Sequence, residues 1–218
     1  MTTPAETRPS RRLARLAWAV AIVVLLAAMA MDTKVLTTEE AAASNPAAFD
    51  AKVYAAEEYP KIVEAVRTGA VQLPEVAAAV AADAQAAGEK YGKTAGTDKY
   101  AIPVTFTGEV TEADDNTLTV DVADMPEGTT VRVAIGSAVN GTAVRDVTGA
   151  YPFRDFANQT DHQQMANELK ALVQQNVTRK IDPDAAEGAQ ASVTGIYVVG
   201  VGPQDSFLVT PVELEVSG

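Results

Sequence analysis

The 218-residue chain has no cysteine and a single histidine, His162. The first absence removes disulfides, thiolate metal ligands, a thiol nucleophile and a lipid-modified N-terminal cysteine together. The second leaves no multi-histidine metal site within one chain. Positive charge is scarce as well: 17 Lys and Arg stand against 29 Asp and Glu, for a net charge of -12. Four of the basic residues, Arg8, Arg11, Arg12 and Arg15, crowd into the first fifteen positions, and from Asp32 onward 13 basic residues face 28 acidic ones, a net -15. Binding a phosphate backbone takes clustered Lys and Arg, so nucleic acid is not expected as a partner.

Catalytic signatures are missing too. The chain has no Gly-Lys-Ser phosphate loop, no His-Glu-x-x-His, no dinucleotide fingerprint and no Gly-x-Ser-x-Gly elbow. Gly200-Val201-Gly202 falls between two strand patterns and reads as a hairpin turn. Asp114-Asp115 occupies a turn, where Asp is favoured for backbone reasons, and lacks the alternating oxygen spacing of a calcium loop. His162 sits in the first turn of an expected helix, an ordinary place for a solvated polar side chain. No catalytic residue, metal or cofactor is expected.

What is present is a foldable composition, 47% hydrophobic and 21% charged, with length for one ordinary domain plus additional elements. At the N-terminus a basic tail, residues 1–12, precedes an apolar run within 13–31 that has no charge between Leu16 and Met31. The basic flank orients such a run with its positive end in the cytoplasm, which places everything after Asp32 outside. Two readings compete for the run. As an uncleaved anchor it approaches the length of a spanning helix, giving a single-pass protein of the cell membrane. As a signal peptide it offers a small-residue cleavage pattern at Ala28-Met29-Ala30, giving an exported soluble protein.

Residues 32–99 read as a polar spacer followed by a two-helix region. Asn45-Pro46 suggests a helix start. Phe49, Val53, Ala56, Ile62, Val63 and Val66 suggest its apolar face, Pro60 a kink or break, and Gly69 a stop. A second, Ala-rich helix is expected from Leu73-Pro74-Glu75 to Tyr91-Gly92.

From Tyr100 the period changes to two. Strands are expected around Val104–Val110, Leu118–Val122 and Val131–Ile135, then a helix from about Thr160 to Val177 ended by Asp182-Pro183, then strands Ser192–Val199 and Phe207–Val216. Three strands, a helix and two strands is the element order of the five-stranded OB-fold barrel. The expected fold is therefore mainly β with α: an OB-like barrel over 100–218, preceded by two helices and an N-terminal transmembrane helix. An open α+β sandwich shares that element order.

Between the third strand and the helix lies the most polar and least regular stretch, Gly136 to His162. Arg145 and Arg154 offer planar forks for carboxylate or phosphate, Asp146 and Asp155 accept from hydroxyls, and Asn158 and Gln159 do both. Tyr151, Phe153 and Phe156 add flat apolar faces. These six polar residues are the candidate ligand-binding set, suited to a small polar ligand such as a sugar. The competing reading has each Arg paired with a local Asp and Asn158 capping the helix, so that a long loop is locked across the barrel mouth.

Three segments carry a resemblance: Gly141-Thr142-Ala143-Val144-Arg145-Asp146, Phe153-Arg154-Asp155-Phe156-Ala157-Asn158-Gln159, and Val209-Thr210-Pro211-Val212-Glu213-Leu214. Phe49-Asp50, Tyr59-Pro60 and Glu89-Lys90-Tyr91-Gly92 join them. The chain resembles the bacterial predicted periplasmic lipoproteins of the family called domain of unknown function 2291. That resemblance implies a barrel domain outside the cytoplasmic membrane, in a family whose genes often accompany sugar-type ABC transporters, and it implies no catalytic residues. The family's lipid-attachment Cys is missing near Met31, so lipoprotein anchoring is not expected.

The functional expectation is a non-enzymatic, membrane-anchored extracytoplasmic accessory protein that binds a small polar ligand or a component of a sugar-type ABC transporter. A cell-envelope glycan hydrolase or transferase, using Asp155 or Asp161 with His162, is one alternative. A structural spacer or assembly module is the other.

Overall fold

The computed structural model describes residues 49–218, together with residues 18, 20–25 and 29. The tail, the spacer and most of the apolar run therefore lie outside the described residues. Among the described residues no helix is long and apolar enough to cross a membrane.

Phe49–Gly218 forms one compact unit. It opens with α1 (Ala51–Gly69), capped by Asp50, whose carboxylate accepts from the amides of Lys52 and Val53. The expected break at Pro60 does not occur. Ala55, Tyr59, Ile62 and Val66 bury a continuous stripe across it, while Pro60 itself is exposed. The carbonyl that loses its bond to the missing Pro60 N–H thus sits on the solvent side. Val53 also lies outside the stripe and is exposed. A two-residue strand, β1 (Val71–Gln72), leads into α2 (Leu73–Ala82) and α3 (Ala84–Tyr91). The single helix expected here is interrupted at Asp83, which is extended (φ -160°) and caps α3 through its carboxylate.

The strands that follow are β2 (Lys93–Gly96), β3 (Lys99–Ala113), β4 (Thr117–Asp121) and β5 (Thr130–Ala134), then β6 (Gln190–Val199) and β7 (Ser206–Ser217). β3 runs antiparallel to β6 from Tyr100↔Val199 to Glu109↔Gln190, and its far end pairs with β4. β4 pairs with β5, β5 runs parallel to β7, and β7 pairs with β6. The ring β3-β4-β5-β7-β6 closes on itself, which excludes the open sandwich. Where β3 passes from β6 to β4, Gly108 admits the neighbouring strand, since a Cβ there would lie 2.1 Å from the Asp121 carbonyl oxygen.

Between β5 and β6 run α4 (Gly141–Asp146), α5 (Gln159–Asn176) and the four-residue α6 (Pro183–Ala186). Asp182-Pro183 does not end the long helix: α5 stops at Asn176, and Asp182 caps α6. Helices carry as much of the unit as strands do, so the fold is mixed α and β rather than mainly β.

Two cores hold it together. Inside the barrel, Ile102, Val104, Leu118, Val133 and Phe207 pack with Leu73, Val76 and Val80 of α2. The barrel interior is therefore closed by α2, not by the helix between the third and fourth barrel strands. That helix, α5, instead packs with α1 and α4 over the outer barrel surface, where Met165, Leu169 and Val173 meet Ile62, Val144 and Ile196. Each fully buried aliphatic side chain of this kind contributes about 1.5–3 kcal/mol.

Candidate functional site

The polar stretch from Gly136 to His162 is ordered into three short turns of helix rather than a loop across the barrel mouth. A 3-10 turn at Gly136–Ala138 is tied to α5 by Lys170, whose Nζ donates to the Ser137 carbonyl at 2.7 Å. α4 follows, with the Asn140 side chain accepting from the amides of Thr142 and Ala143. A second 3-10 turn, Phe153–Asp155, leads to Asn158, which caps α5 by accepting from the Asp161 amide at 2.9 Å and donating to the Asp161 carboxylate at 3.0 Å. Gly141 packs so tightly on α5 that a Cβ would lie 1.9 Å from the Ala166 carbonyl oxygen.

The six candidate ligand residues separate into two groups. Arg145 is buried, and its Nε and Nη2 donate to the two carboxylate oxygens of Asp146 at 2.7 and 3.1 Å. Its Nη1 donates to the His162 carbonyl at 3.0 Å. This pair braces α4 against the first turn of α5. Asn158 is likewise spent on its cap. Arg154 and Asp155, by contrast, have side chains 84% and 57% exposed and lie 3.7 Å apart, and Gln159 is exposed. No single pocket gathers the six, because half of them hold the stretch in shape and half project from it.

Sequence reasoning missed what the second 3-10 turn rests on. Phe156 packs edge-on against Phe49 (5.5 Å between ring centroids) and Tyr54 (6.2 Å), and Tyr54 meets Tyr151 at 6.3 Å. The His162 ring lies 4.8 Å from Phe156 and 5.8 Å from Phe153, and its Nε2 is 3.1 Å from the Tyr151 carbonyl oxygen. Phe153 remains 54% exposed. The cluster thus unites the start of α1 with a turn about one hundred residues later, and only the aromatic content of each segment signalled it.

Beneath the aromatics, the Tyr151 hydroxyl donates to Glu58 at 2.8 Å, and Lys61 donates to the other Glu58 oxygen at 2.7 Å. The Lys61 hydrogen bond, and then that of Tyr151, hold the Glu58 carboxyl below its ordinary value. Burial, and then the bond to Glu58, push the Tyr151 phenol upward. Burial followed by the charge of Glu58 does the same to Tyr54. The assembly favours an ionised Glu58 and neutral tyrosines, tied together by hydrogen bonds. Among the described residues no group of His, Asp and Glu is placed to hold a metal ion.

A closed five-stranded barrel with this strand order defines the chain as an OB-fold protein with a helical layer on its outside. An OB-fold protein from Thermotoga maritima MSB8 shares the architecture with a TM-score of 0.64 at 20% identity, over 78% of this chain and 99% of that one. The family model of predicted periplasmic lipoproteins, domain of unknown function 2291, matches residues 19–215. The chain belongs to that family. No curated protein matches it.

Proposed function

We propose that the chain is a non-enzymatic accessory protein, held outside the cytoplasmic membrane by its N-terminal run, that docks on a protein partner through the Phe153–Asp155 turn. The partner is a component of a sugar-type transporter. The observation that carries this reading is the division of labour in the polar stretch. Arg145, Asp146 and Asn158 are consumed by the fold, whereas Phe153, Arg154 and Asp155 project from a turn seated on an aromatic cluster. Exposed aromatic and Arg side chains on a rigid base are the residue types that dominate protein interfaces. Side chains that project in this way suit a protein surface better than they enclose a small molecule.

One further feature supports the location. Residues 20–25 are helical, and the large apolar side chains at 18, 20, 22, 23, 24, 25 and 29 are exposed. A helix apolar on all sides finds its solvent in lipid.

The test is co-purification of the full-length chain with the membrane subunits of a sugar-type ABC transporter from its native host. Phe153→Ala with Arg154→Ala abolishes recovery while the melting temperature stays unchanged. Recovery equal to that of the unaltered chain contradicts the proposal.

A further inference from the structure

A groove of about 410 Å³ opens at the other end of α5, between the helix terminus and the outer face of the β6–β7 hairpin. The 18 residues of α5 place roughly 27 Å between it and the Phe153–Asp155 turn, at about 1.5 Å per residue. A β-bulge builds the groove. Thr194 pairs with Glu213, but Gly195 pairs with Pro211, which leaves Val212 as the extra residue. Bulges bend a strand locally and re-aim the side chains beside them. Here the bulge buries Val212 in the outer core, and beyond it Glu213 and Glu215 stand opposite Thr194 and Ser192. The bulge falls inside Val209-Thr210-Pro211-Val212-Glu213-Leu214, the third segment that carries the family resemblance and the one that the docking turn leaves without a role.

The groove's polar groups are fixed or free in a telling way. Arg67 of α1 donates its Nε, at 3.1 Å, and its Nη2 to the same oxygen of Glu213, so the carboxylate is oriented and its second oxygen is left open. Asn176 and Lys180 reach in from the end of α5 and the turn that follows. The side chains of Asn176, Lys180, Ser192 and Glu215 have no hydrogen-bond or ion-pair partner among the described residues.

We propose that this groove binds a neutral polyhydroxylated small molecule, a monosaccharide or polyol. The two carboxylates only accept hydrogen bonds, Lys180 only donates, and Asn176 and Ser192 do both. A hydroxyl satisfies every one of them. An anion in the same place faces Glu213 and Glu215, and a cation faces Lys180 with Arg67 behind Glu213. Half-buried Leu214 offers apolar surface to the C–H faces of such a ligand, while Val177 and Val212 are buried. The volume falls within the range of small-ligand sites, about 300–1,000 Å³.

Saturation-transfer NMR on the full-length chain in a non-glycosidic detergent tests this, with glucose, ribose and myo-inositol as probes and with putrescine and inorganic phosphate as charged counterparts. At least one neutral probe binds. Lys180→Ala and Glu215→Ala each weaken it about tenfold, the cost of losing a hydrogen bond to a charged group, with the melting temperature unchanged. The proposal is overturned if none of the three binds, if putrescine or phosphate binds more tightly than all of them, or if binding survives both substitutions. Because Phe153 and Arg154 lie at the other end of α5, these outcomes are independent of the docking test.

Discussion

Arg145 and Asp146 are adjacent in sequence and face each other side by side, the fork of one closed on both oxygens of the other and its remaining arm on the His162 carbonyl. Only about a tenth of either side chain reaches solvent. Removing one partner leaves a charge in a site built for two, so Arg145→Met costs about 3 kcal/mol, or roughly 10 °C in melting temperature. Lys cannot reproduce the planar fork, and Arg145→Lys recovers less than half of that loss. Thermal melts of the three proteins at neutral pH check this. An Arg145→Met protein as stable as its parent would show that the pair is not a brace.

Gly141 tests the same contact from the backbone side. Any Cβ there meets the Ala166 carbonyl 1.9 Å away, and neither backbone segment has a flexible end to move. Gly141→Ala therefore pushes α4 off α5, at a cost of about 1–3 kcal/mol despite the better helix propensity of Ala. Denaturant titration measures it. Equal midpoints for the two proteins would mean that the helices sit farther apart than described.

Leu73 reports on the barrel plug. It is fully buried in the interior cluster although it belongs to α2, outside the five-strand ring. Leu73→Ala removes packing from the barrel itself and costs about 2–5 kcal/mol. A loss under 1 kcal/mol, the size expected for a peripheral helix, would show that α2 is an appendage.

The aromatic base of the turn carries a pH signature. The folded state holds the Glu58 carboxyl below its ordinary value of 4.5 through Lys61 and then Tyr151. The stabilisation this represents is fully present above that ordinary value and is lost as pH falls through the depressed one. Tyr151→Phe removes one of the two hydrogen bonds and costs about 1 kcal/mol at neutral pH. The difference between the two proteins narrows as pH falls through the depressed value and Glu58 loses its charge. Paired melts at neutral and at falling pH read this out, and a gap that widens in acid would refute the assignment.

The barrel was legible because its evidence is periodic. Val104, Phe106 and Val110 alternate with polar neighbours, and Leu118 with Val120 and Val131 with Val133 repeat the pattern, so the order of these elements along the chain followed from sequence alone. Ring closure depends on partners 87 residues apart, such as Phe106 and Val193, and no local pattern encodes that. The helical layer was harder to read. Pro60 signals a break only if its carbonyl partner is buried, and Asp83 interrupts a run of alanines with a cap that an unbroken periodicity conceals. In the polar stretch, Arg145 and Arg154 are indistinguishable by residue type, each followed by Asp. Burial separates them: one lies between two helices and braces them, and the other stands on an exposed turn.

The Phe153–Asp155 turn is proposed to be the contact surface for a transporter component. A photo-activatable phenylalanine analogue at position 153 of the full-length chain, irradiated in the native host, tests it most directly, with the same analogue at the exposed barrel-turn residue Glu127 as the reference. A single discrete adduct with a membrane transport subunit is expected from position 153, none from position 127, and the adduct is lost when Arg154→Ala is added. Equal cross-linking from both positions, or no adduct from position 153, would contradict it.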